Sequence, residues 1–149
     1  AGNMYIRPWS AVTLGDESGD KIDNGAFIRW MGESFWFPTS ILSLPGTTWE
    51  TLDKKRVKIT MTDHAITASL ILHFDENGDI CYFESNDRYR GNDASRPTHW
   101  FARVHRYATF DGIRIPSQID VGWTLDSGEY IYWRGTITAT DYNMPKSFA

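Results

Sequence analysis

AFIRWMGESFWFPTSILSL, residues 26–44, is the stretch whose reading decides the fold. Phe27, Ile28, Trp30, Met31, Phe35, Trp36, Phe37, Ile41 and Leu42 are interrupted by little more than Arg29 and Glu33. A surface helix buries one stripe and keeps the opposite face polar, so a helix apolar on nearly every side is expected to be covered from more than one direction. Asp23 is placed to cap its start by accepting from first-turn amides. Pro38 disfavours helix at Phe37 and predicts an end or kink there, and Pro45-Gly46 stops the run before Thr47.

Outward from the helix the period changes. Ahead of it, Met4 to Leu14 reads as one strand, with Pro8 implying a sheet edge or a bulge because proline cannot donate to a ladder; Gly15 to Gly19 reads as a polar turn. Behind it, Val57, Ile59 and Met61 alternate with Lys58, Thr60 and Thr62, and Ile66, Ala68, Leu70, Leu72 and Phe74 continue the period of two. Asn77-Gly78 predicts a hairpin into Ile80–Ser85. A polar loop, 86–97, has the composition of a rim or lid. His99–Phe110, a turn at Asp111-Gly112, Ile113–Leu125, a turn at Asp126-Ser127-Gly128 and a last strand with Ile131, Trp133, Ile137 and Ala139 facing inward complete a meander of about six strands. Short hairpins join only antiparallel strands. The expected architecture is α+β: an antiparallel meander sheet forming a half-barrel wrapped around one apolar helix, a single domain over 1–149.

Composition narrows the function classes. A net charge of -4, spread along 149 residues, gives no basis for nucleic-acid binding or polybasic membrane attachment. The one cysteine, Cys81, precludes an internal disulfide, and no run approaches the roughly 20 apolar residues that span a bilayer. Four histidines invite a metal or acid-base reading, but His99 and His105 would stand about 20 Å apart along one strand, and His73 points away from the Leu70, Leu72 and Phe74 face. Asp63-His64 reads as a turn dipeptide. Asp75, Asp79, Asp111 and Asp126 sit at turns, where aspartate accepts local backbone hydrogen bonds. No catalytic residues, metal ligands or cofactors are therefore assigned. Arginine is unevenly placed: Arg88, Arg90, Arg96, Arg103, Arg106, Arg114 and Arg134 all follow residue 87. Its planar fork suits carboxylate or phosphate, although pairing with Asp87, Asp93 and Asp120 would leave only solvated strand faces.

Two sets of motifs look familiar. Tyr107-Ala108-Thr109-Phe110-Asp111-Gly112-Ile113-Arg114-Ile115-Pro116, followed by Val121 and Ile137 to Asn143, resembles the carboxyl-terminal strands of the LolA-like lipoprotein-carrier superfamily. Gly2-Asn3-Met4, Arg29-Trp30-Met31-Gly32-Glu33, Trp36-Phe37-Pro38, Trp49-Glu50, Phe74-Asp75-Glu76-Asn77-Gly78, Arg114-Ile115-Pro116 and Tyr132-Trp133-Arg134-Gly135 fall in the order of an uncharacterised bacterial family of unknown function. The second resemblance spans the chain and implies the carboxyl-terminal part of a longer protein. The first implies an incomplete barrel with an apolar cavity for acyl chains and, by analogy with lipoprotein carriers, a place in the bacterial cell envelope.

The expected function is non-enzymatic binding or carriage of a lipid or other amphipathic ligand. Its tail would lie against Trp30, Phe35, Trp123 and Trp133, and an anionic head would meet Arg88, Arg90 or Arg134. The alternative is a structural or protein-interaction domain with a filled core, self-associating or joining the missing amino-terminal region through the Met4 to Leu14 edge. A pocket of some 300 Å3 or more between helix and sheet distinguishes the two.

Overall fold

The computed structural model describes residues 3–6, 15–42, 45–91 and 94–142. Two short strands, β1 (Asn3–Ile6) and β2 (Gly15–Ser18), pair antiparallel as a separate ribbon. This corrects two expectations. Residues 15–18, read as a turn, form a strand, and the start of the Met4 to Leu14 segment is paired to them; residues 7–14 lie outside the described residues.

Helix α1 (Asp20–Glu33) follows, then a 3-10 turn over Ser34–Trp36 and the short α2 (Pro38–Leu42). The break at Phe37 is the one Pro38 predicts: proline cannot continue a helix but suits a first helical position. The start differs. Gly19, at φ 115, is the N-cap, and Asp23 lies inside the first turn, where with Asp20 it complements the positive end of the dipole. Helix cover is also one-sided. Ile28 and Met31 are fully buried, while Trp30 is 40% and Phe37 55% exposed, so among the described residues only one face of the helical segment is packed closely.

The remainder is a seven-stranded antiparallel open sheet in chain order: β3 (Thr47–Thr51), β4 (Arg56–Asp63), β5 (Ile66–Phe74), β6 (Ile80–Ser85), β7 (Trp100–Phe110), β8 (Ile113–Leu125) and β9 (Gly128–Thr136). The added strand relative to expectation is β3, which pairs with β4 through Trp49↔Ile59. Asp111 (φ 48) and Gly112 (φ 81) are both left-handed, the conformation that a two-residue hairpin turn requires.

Register separates two faces. Leu72, Phe83, Ala102, Val121 and Trp133 are cross-strand partners on one side; His73, Tyr82, Arg103, Asp120 and Arg134 are partners on the other. Helix α1 packs on β5 of the first face, where Ile28, Met31 and Phe35 join Ile59, Met61, Ala68, Leu70, Leu72, Phe83 and Trp100 in one buried cluster. The second face bears no described helix, yet Phe101 there is 0% exposed. Tyr82 and His99 stack on it at 5.6 and 6.0 Å, the Arg103 guanidinium lies 5.3 Å from its centre, and its ring covers Gly122, where any Cβ would stand 2.9 Å from the ring.

Candidate functional site

Where the end of α1 stands over β7, β8 and β9, packing is incomplete and leaves a cleft of about 610 Å3. Arg29, Gly32, Glu33 and Trp36 line it from the helical side, Arg88 from the loop, and Phe83, Trp100, Ile119, Val121, Trp123, Tyr132 and Trp133 from the sheet. Gly32 sets the approach of helix to sheet. A Cβ there would lie 3.0 Å from Phe83 and 3.2 Å from Trp100, tighter than ordinary carbon contacts. Trp36 is oriented by its Nε1, which donates to the Pro116 carbonyl at 3.1 Å, and its ring meets Trp133 at 6.3 Å.

The wall contributed by β9 depends on an irregularity. Successive side chains of a regular strand point to opposite faces, yet Tyr132 and Trp133 both line the cleft. Val121 pairs with Trp133 and Gly122 with Ile131, so Tyr132 is the extra residue of a β-bulge. Bulges re-aim side chains in this way beside functional sites. The bulge also corrects the expected inward face of the last strand: Ile131 shares the far face with Gly122 and Phe101, and residues 137 and 139 lie beyond the strand.

Arg88 is the polar centre of the cleft. Its loop is tied down on both sides: the Thr98 amide donates to the Arg88 carbonyl at 2.8 Å, and Lys21 Nζ of α1 donates to the Ala94 carbonyl at 2.8 Å. The guanidinium lies 4.7 Å from the Trp100 ring centre and 5.2 Å from that of Trp123, a cation–π arrangement with two indoles. Nη1 donates to the Tyr132 hydroxyl at 3.3 Å, and Nε is buried without a hydrogen-bond partner. Burial lowers its pKa from the ordinary arginine value, but an arginine remains a cation at neutral pH. Arg88 has no carboxylate partner among the described residues. Glu33, on the cleft wall, is held instead by Arg29 one helical turn back, at 2.6 Å. The arginines in contact with carboxylates lie on the surface; this one is half-buried with its Nε enclosed, and desolvation of that edge costs free energy unless something meets it.

The expected ligand residues are distributed over several places. Arg88, Trp123 and Trp133 come together in the cleft. Trp30 stacks on Phe27 and borders a different hollow, with Pro45, Met61 and Asp63. Phe35 is buried against Phe83, ring centres 5.0 Å apart, and faces the opposite end of the helix-sheet layer with Leu72 and Phe74. Arg90 lies over the Tyr130 ring at 5.7 Å, and Arg134 reaches Asp120 at 3.4 Å on the far face. Tyr132, Trp100 and Trp36 complete the cleft but were not among the ligand residues expected from sequence. The run Tyr130-Ile131-Tyr132-Trp133 breaks the period of two, and that is the signal for the bulge.

The far face gathers a second polar cluster. Glu84 accepts from His73 Nε2 at 2.8 Å and from His99 Nε2 at 2.6 Å, and His99 Nδ1 lies 2.7 Å from Thr124 Oγ1. Burial alone would raise the Glu84 pKa; the hydrogen bonds from His99 and His73 outweigh it, and the carboxyl is held below the usual glutamate value. A shallow hollow beside the cluster is lined by His73 with Lys55, Arg56, Phe74 and Cys81, and no three His, Cys, Asp or Glu side chains among the described residues are gathered as a metal ion requires. Each group is occupied by its neighbour.

An α+β protein with an open antiparallel sheet and an aromatic, arginine-centred cleft is the class these features define. The chain belongs to a family of unknown function, DUF6544, whose family model matches residues 1–135. No curated protein and no solved structure matches it. Among the described residues no helix is long and apolar enough to cross a membrane.

Proposed function

We propose that this is a non-enzymatic binding or carrier domain for a lipid or other amphipathic ligand, built on a half-barrel of the LolA-like kind, with the ligand's apolar part in the cleft between α1 and the β7–β9 end of the sheet. The observation that carries the reading is the bulge at Tyr132, which turns two consecutive aromatic side chains toward one apolar space instead of leaving the strand regular. The volume, about 610 Å3, is within the range of small-molecule sites, and Trp36, Trp100, Trp123 and Trp133 offer flat apolar walls.

The test is a titration with alkyl chains of increasing length, as acids and as alcohols, followed by tryptophan fluorescence. Affinity should rise by about 0.8 kcal/mol per methylene until the cleft is full. Absence of saturable binding at every length contradicts the reading. The runner-up, a structural or protein-interaction domain, is favoured by exposed Tyr130 on β9 and exposed Trp49 on β3, the two edge strands of the sheet among the described residues. Sedimentation over a concentration series, showing association that persists when the cleft is saturated, would favour it.

A further inference from the structure

We propose that Arg88 and Tyr132 make the head of the cleft selective for an oxyanion, so that the ligand is an amphipathic acid, and specifically a long-chain carboxylate in preference to the matching alcohol or amine. The inference rests on the amphipathic-ligand reading and narrows it to one head-group chemistry.

It follows from hydrogen-bond accounting. A phenol oxygen accepts up to two hydrogen bonds and donates one. At Tyr132 both acceptor positions are taken, one by Trp100 Nε1 at 3.0 Å and one by Arg88 Nη1 at 3.3 Å. Its hydrogen must therefore be donated, and no acceptor for it is found among the described residues. Arg88 carries five N–H donors, of which Nη1 alone has a partner among the described residues. The indole N–H of Trp100 is spent on Tyr132. The groups left over on these two residues are thus donors: the hydroxyl of Tyr132 and the remaining N–H groups of Arg88.

A pair that offers only donors discriminates by chemistry. A carboxylate is acceptor-only and brings the missing negative charge. An alcohol brings a hydrogen that neither Arg88 nor Tyr132 can accept, and an ammonium brings three and a charge like that of Arg88. Glu33 could serve as an internal substitute for the ligand, but Arg29 holds it at 2.6 Å on its own helix. Arg88 presents its guanidinium against two indole faces, which leaves its edge for a planar partner.

The experiment compares dodecanoate, dodecyl phosphate, dodecanol and dodecylammonium on the whole chain, each below its micelle concentration, by calorimetry or tryptophan fluorescence. Dodecanoate should bind about tenfold or more tighter than dodecanol, the size of a charge-assisted hydrogen-bond effect. Arg88→Gln should bring the two within about twofold, chiefly by weakening dodecanoate, and raising salt should weaken the acid more than the alcohol. Tyr132→Phe keeps the ring and the cleft shape, so it remains informative should the Arg88 variant fail to fold; it should narrow the acid-to-alcohol ratio by about threefold. Equal affinity for acid and alcohol, or preference for the amine, overturns the inference and leaves the carrier reading standing. Tighter binding of dodecyl phosphate overturns the carboxylate assignment. Saturable binding of none of the four removes both.

Discussion

On the face turned away from the helix, Glu84 accepts from His73 and His99, Arg103 reaches Glu129 at 3.1 Å, and Asp120 meets both His105 and Arg134. On the helix side, Arg88 lies among indoles with its Nε unmatched. The first arrangement closes on itself: charges on a partly wetted face are matched, and loss of Glu84, held by two half-buried histidines, should be felt most in stability, whereas the more exposed pairs contribute little. The second does not close. A half-buried cation with no carboxylate partner among the described residues adds little to folding through ion pairing, and the proposed ligand would supply the counter-charge.

The largest expected effect lies within the helix side itself. Phe35 is 8% exposed and packs on Phe83 within the buried cluster, so Phe35→Ala should cost roughly 3–5 kcal/mol in chemical denaturation. Trp133 is the larger residue but stands 40% exposed at the open end, so Trp133→Ala should cost distinctly less and reduce ligand affinity instead. An unchanged midpoint for the Phe35 variant would break the assignment of Phe35 to the packed core and of Trp133 to the cleft wall.

Glu84→Gln probes the far face. Replacing an ionised acceptor of two histidines should destabilise the chain by about 1–3 kcal/mol at neutral pH. The pH dependence carries a sign. The folded pKa is depressed, so the carboxylate's contribution is complete above its ordinary value of 4.5 and is lost as pH falls through the lower folded value. Denaturation midpoints of the native chain should therefore drop over that acid range, and those of the glutamine variant should drop less. Identical slopes would mean that the cluster contributes nothing to acid stability.

The smallest effect is at Gly25. A Cβ there would stand 3.7 Å from Arg88 Nε, an ordinary contact, so Gly25→Ala should gain up to about 1 kcal/mol from helix propensity and leave binding within about twofold. A substantial loss of affinity on titration would show that Arg88 needs the space above it.

Much of the sheet was legible because its signals are local. Alternation in Val57–Met61 and Ile66–Phe74 and the Asp111-Gly112 turn are set by neighbours in sequence, and the observed strands follow them. The start of α1 was not, because its first turn is polar: Lys21 earns its place by a bond to Ala94, 73 residues away. Hydrophobic residues on every side of the helical run say nothing of which face is covered, and Trp30 and Phe37 are the exposed ones. At the site, Arg88, Trp123 and Trp133 are of residue types that sequence singles out. Their meeting, and the separation of Arg90, Arg134, Trp30 and Phe35 from them, depends on loop path and strand register. Tyr132 was hidden by the bulge that makes it useful, since a regular β9 would direct it away from Trp133.

The central claim is that Arg88 is kept for a ligand and not for the fold, and Arg88→Met tests it most directly, with stability and dodecanoate affinity measured on the same sample. Methionine fills similar apolar space and removes both the desolvated charge and its cation–π contacts, terms of opposite sign. The denaturation free energy should stay within about 1 kcal/mol of the native chain or rise, while dodecanoate binding falls to the level of dodecanol. A variant that loses several kcal/mol of stability yet binds dodecanoate as the native chain does would contradict the account and make Arg88 a structural residue.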